Sequence, residues 1–65
     1  MFIQIVEDDT ALRNGIVLAL SDGEVRFLQD GDVRSAMESF LKQEPGLIIL
    51  DVNLPDARGY EYLKW

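Results

Sequence analysis

Sixty-five residues make one small domain at most, and a chain this short usually needs a disulfide, a metal or a partner to be robust. With no cysteine and no histidine, it can form neither a disulfide framework nor a thiolate or imidazole metal site, and histidine catalysis is excluded. Twelve acidic against six basic residues, a formal charge of −6, argue against contact between this segment and nucleic acid phosphate.

Phe2 to Val6 reads as a short strand, and the adjacent Ile5 and Val6 suit a strand covered on both faces. Gln4 within it is expected at a partly exposed position near the sheet end. Three carboxylates, Glu7-Asp8-Asp9, close the strand. A stretch this short and this acidic is no signal peptide and no membrane span, so the expected location is the cytoplasm. Side by side, the three repel one another unless a cation or hydrogen-bond donors offset the charge.

Asp9 or Thr10 can cap a helix running to about Leu20, with Leu12, Ile16, Ala19 and Leu20 on one face. Ser21-Asp22-Gly23 is a turn signal, with Gly23 expected at positive φ. Glu24 to Leu28 alternates and reads as a second strand nearer an edge. Asp32 is the expected cap of a second helix, whose stripe of Val33, Ala36, Met37, Phe40 and Leu41 is core in character. Lys42 complements its dipole, and Glu44-Pro45-Gly46 ends it.

Leu47-Ile48-Ile49-Leu50 then runs into Asp51, with Pro55 four positions on. This is a strand over 47–52, buried on both faces and ended before the proline. Residues 53–59 form a loop, and Tyr60 to Trp65 begin a third helix.

The order β-α-β-α-β-(α) predicts an α/β fold with a parallel, doubly wound sheet. Right-handed crossovers allow strands 1 and 3 to be neighbours, and the expected strand order is 2-1-3. Asp8 and Asp9 at the end of strand 1 then converge with Asp51 at the end of strand 3, where the chain reverses direction and such sheets bind ligands. An all-oxygen site of this kind suits a hard cation such as Mg²⁺. Beside it an aspartate can act as a nucleophile on a phosphoryl group. The alternative is an acidic turn that caps a helix and does nothing else.

Ile5-Val6-Glu7-Asp8-Asp9, the run Leu47 to Asp56, and Gly59 together resemble the receiver domain of bacterial two-component response regulators. The resemblance implies that Asp51 accepts a phosphoryl group from a sensor histidine kinase. It implies that Asp8 and Asp9 help hold Mg²⁺, with Asp9 the more direct ligand, and that the Asn53 backbone carbonyl supplies another. Pro55 and Gly59 would shape the loop into the third helix. No dedicated turnover is expected, only self-phosphorylation on Asp51 in the intact domain. A transcriptional output domain is the expected effector, and any DNA contact would belong to it.

The resemblance spans residues 1–65 but only about the first half of a five-stranded, flavodoxin-like sheet. The last two strands and helices, a switching hydroxyl and aromatic, and a phosphoryl-pairing lysine lie outside it. If strand 3 has no neighbour on its outer side, the 47–52 edge is aliphatic and prone to recruit another chain, by edge pairing or by swapping elements. Three other functions compete. A haloacid-dehalogenase-like phosphatase needs a second aspartate where Asn53 stands. A dinucleotide-binding half-domain needs glycines where Glu7-Asp8-Asp9 stand. A degenerate receiver that acts only as an interaction module stays open.

Overall fold

The structure, a computed structural model, describes residues 1–51, 54–56 and 58–65. The elements are β1 (Phe2–Val6), α1 (Thr10–Leu20), β2 (Arg26–Asp30), α2 (Val33–Lys42), β3 (Leu47–Leu50) and α3 (Gly59–Lys64). The three strands form one parallel sheet in the order β2-β1-β3. The predicted doubly wound architecture and its strand order are therefore present, but β3 ends at Leu50 and none of its four residues is fully buried, so it is shorter and more exposed than the expected strand over 47–52.

β1 is the central strand, and its burial follows from its position. Ile3, Ile5 and Val6 are in the core because strands flank β1 on both edges and α2 packs over β1 and β2. Val6 joins Val33 and Ala36 of α2 and Tyr62 of α3 in a buried cluster, against which Met37, Phe40, Ile48, Leu50 and Leu54 pack. Three rings bind α3 to α2: Phe40 meets Tyr62 edge-on at 6.4 Å and Trp65 edge-on at 5.7 Å. Tyr62 and Trp65 stack at 5.9 Å. Each such pair adds about 0.5–1.5 kcal/mol beyond burial.

Gln4 corrects the sequence expectation. It is fully buried, with no exposed surface, because β1 is central. Its amide nitrogen donates to Asp30 Oδ2 at 3.1 Å and to the Ala36 carbonyl at 2.9 Å. Its carbonyl oxygen accepts from the Tyr62 hydroxyl. Asp30 Oδ1 in turn accepts from the hydroxyls of Ser35 and Ser39, at 2.6 and 2.8 Å. One saturated polar network thus ties β1, β2, α2 and α3 together, which is how a buried amide and carboxylate are tolerated.

The same network explains where β2 lies. The strand runs two residues later than Glu24–Leu28, pairing Phe2 with Arg26 and Val6 with Asp30. Asp30 reads as a turn residue in sequence but has donors enough to end a strand. At the other end, Asp22 accepts from the Glu24 amide at 2.8 Å and holds residues 22–24 in a turn. Gly23 does not need the left-handed conformation, and no described residue adopts positive φ. α1 also departs from expectation: it buries none of its residues, and Leu12, Leu18 and Leu20 stay exposed. Among the described residues, no helix is long and apolar enough to cross a membrane.

Candidate functional site

β1 and β3 are adjacent and parallel, so the residues that follow them leave the sheet side by side. The Asp51 amide donates to the Val6 carbonyl at 2.9 Å, and the Glu7 amide donates to the Asp30 carbonyl at 2.9 Å. These two bonds fix the exits of β3 and β1 relative to their neighbours. Carboxylate oxygens of Glu7, Asp8 and Asp51 then lie within 4.8 Å of one another. Burial is graded across the three: Glu7 is buried, Asp51 half-buried and Asp8 exposed.

Asp9 lies outside this group. Its carboxylate accepts from the Leu12 amide at 3.1 Å as the N-cap of α1. Asn53 lies outside the described residues. The structure therefore brings together two of the expected residues, Asp8 and Asp51, and adds Glu7, which sequence reasoning passed over. A signal for Glu7 was present. The strand ends at Val6, so Glu7 is the first carboxylate beyond it, and an aspartate that caps α1 is turned toward that helix.

Glu7 is the most buried of the three. Only 8% of its surface is exposed, and its Oε2 atom has no hydrogen-bond partner. Burial pushes its carboxyl above the ordinary value of 4.5, and the hydrogen bond and negative charge of Asp51 push it further. A hydrogen bond to Asp8 adds to the shift, while one from the Asp9 backbone opposes it. Arg13 steadies the turn from α1 by donating to the Glu7 carbonyl at 2.8 Å. This guanidinium bonds the main chain, so it braces Glu7 without neutralising the carboxylate by a direct contact.

Two described residues after β3, Leu54 and Asp56, are tied to the rest of the fold. Leu54 packs against the core cluster. Asp56 reaches the start of α2, accepting from the Val33 amide at 2.9 Å and the Arg34 amide at 3.1 Å. Asp32 takes the next amide, that of Ser35, at 2.8 Å.

The response regulator receiver domain family model matches residues 3–65. The chain belongs to the receiver domain family. A comparison with curated proteins matches none of them. The acidic cluster of this receiver stands at the carboxyl ends of two neighbouring parallel strands, where α/β sheets bind ligands. Its donor set is all oxygen, and the unpartnered, buried Glu7 Oε2 is an acceptor available to a cation. Both features fit Mg²⁺ in preference to a softer metal.

Proposed function

We propose that this receiver is a phosphoacceptor module, with Asp51 taking a phosphoryl group from a sensor histidine kinase in the presence of Mg²⁺. The observation that carries the reading is the Glu7–Asp8–Asp51 cluster, whose oxygens fall within 4.8 Å and whose buried member has an unpartnered oxygen. Three carboxylates so close repel strongly unless protonated or bridged by a cation.

Glu7, Asp8 and Asp51 would hold the ion, with the Asn53 carbonyl as a further oxygen and Asp9 supporting the turn through its cap. Bound there, Mg²⁺ would neutralise charge on the phosphoryl oxygens. Asp51 is the half-buried member and the one that follows β3, so it is the nucleophile in this reading. A carboxylate oxygen of Asp51 attacks phosphorus, the Asp51 O–P bond forms, and the bond from phosphorus to the donor breaks. The electron pair of that bond leaves with the donor, a histidine nitrogen of the kinase. Glu7 and Asp8 would hold the ion and take no part in bond making. An output domain would respond to the phosphorylated state by a shift in population between two arrangements.

The test is Mg²⁺-dependent uptake of acetyl phosphate, read by intact mass on the wild type and on Asp51→Asn. Uptake of one phosphoryl group by the wild type, lost in Asp51→Asn and on chelation of Mg²⁺, supports the reading. No uptake by the wild type favours a receiver that acts by interaction alone.

A further inference from the structure

Among the described residues after Asp51, Asp56 ties the chain to the first turn of α2 through its carboxylate. Asp56 accepts from the Val33 and Arg34 amides, the first two of α2, while Asp32 accepts from the third, Ser35. The first turn of a helix leaves its amides without partners inside the helix. A helix normally satisfies them with its own N-cap or with water. Here two of the three are satisfied from a different segment, more than twenty residues away in sequence and five beyond Asp51.

The two carboxylates differ in what they hold. Asp32 is part of the helix it caps, so its bond stabilises α2 and nothing else. Asp56 belongs to the loop, so its bonds fix the loop against α2 as well as α2 against the loop. α2 is itself tied to the sheet. Ser35 and Ser39 bind Asp30, and the Ala36 carbonyl accepts from Gln4, which anchors the helix to the two strands β1 and β2. Glu7 directly follows the first of these strands, and its main-chain partner Asp30 ends the second. Loop and acidic cluster are therefore referred to the same frame.

We propose that Asp56 is a positioning residue for phosphoryl transfer at Asp51, holding residues 54–56 against the start of α2 by capping that helix. This rests on the phosphoacceptor reading above and names a determinant of that site's geometry. Because coupling between two parts of a protein is reciprocal, phosphorylation at Asp51 also alters the cap. The start of α2 is accordingly a place where the state of the site is felt.

The experiment follows acetyl phosphate uptake by intact mass, with Mg²⁺, for the wild type, Asp56→Ala, Asp56→Asn and Asp32→Ala. Asp56→Ala lowers the maximal rate by about tenfold and leaves the half-saturating donor concentration nearly unchanged, as expected for a misplaced reacting group. Asp56→Asn, which keeps one acceptor oxygen, recovers part of the rate. Asp32→Ala frays the same helix terminus without touching the loop and reacts at the wild-type rate. In the wild type, hydrogen exchange of the Val33 and Arg34 amides changes when acetyl phosphate is added. That readout stands even if Asp56→Ala fails to fold. Equal rates for Asp56→Ala and the wild type overturn the proposal, as do a loss in Asp32→Ala equal to that in Asp56→Ala, or unchanged amide exchange on phosphorylation. Absence of uptake by the wild type instead overturns the phosphoacceptor reading, and this proposal falls with it.

Discussion

Glu7 sits under electrostatic stress at the end of β1. Its carboxyl is held above its ordinary value of 4.5 by burial and then by Asp51. A folded state with the higher value binds the proton more tightly than the unfolded chain does. The stability tied to this group is therefore fully present below 4.5 and is lost as pH rises through the raised folded value. Without divalent cation, the urea midpoint should fall as pH is raised across that interval. Saturating Mg²⁺ at neutral pH should restore it, because a ligand bound only by the folded state stabilises it by mass action. A midpoint that rises across the interval would contradict the assignment. The same site predicts a contrast between neighbours: Asp8→Asn should weaken Mg²⁺ binding measured by calorimetry at least about tenfold, whereas Asp9→Asn, which keeps the cap, should change it little. Tyr62→Phe tests the buried network, since it leaves the Gln4 carbonyl oxygen without its donor. It should cost about 1–3 kcal/mol in urea unfolding.

At the scale of elements, the apolar runs of β1 and β3, the caps at Asp9 and Asp32, and the order of strands were all legible in the sequence. They are local signals that no tertiary contact reverses. Gln4 and Asp30 were not legible. A lone polar residue in a strand and an acid before a glycine read as exposed positions, and only the arrival of Ser35, Ser39 and Tyr62 from other elements supplies their partners. The candidate site shows the same division. That acids following β1 meet Asp51 was legible from topology. That Glu7 and not Asp9 makes the third of the group depends on where the strand stops and on which carboxylate the helix takes as its cap.

In the whole molecule, a central strand, a polar network and a capped loop serve one arrangement. β1 leads directly into Glu7 and, through Gln4, supplies a joint between α3 and the rest. α2 is held to the sheet by Asp30 and Gln4, and to the loop by Asp56. The net charge of −6 is compatible with a surface that avoids nucleic acid phosphate and with a site that attracts a divalent cation. The central claim is that Asp51 forms an acyl phosphate. It is tested most directly by treating the protein with acetyl phosphate and Mg²⁺, reducing it with borohydride and mapping the modified residue by peptide mass spectrometry. An aspartyl phosphate is reduced to homoserine, so the account predicts homoserine at position 51. Modification at Glu7 or Asp8 in its place, or none at all, would contradict it.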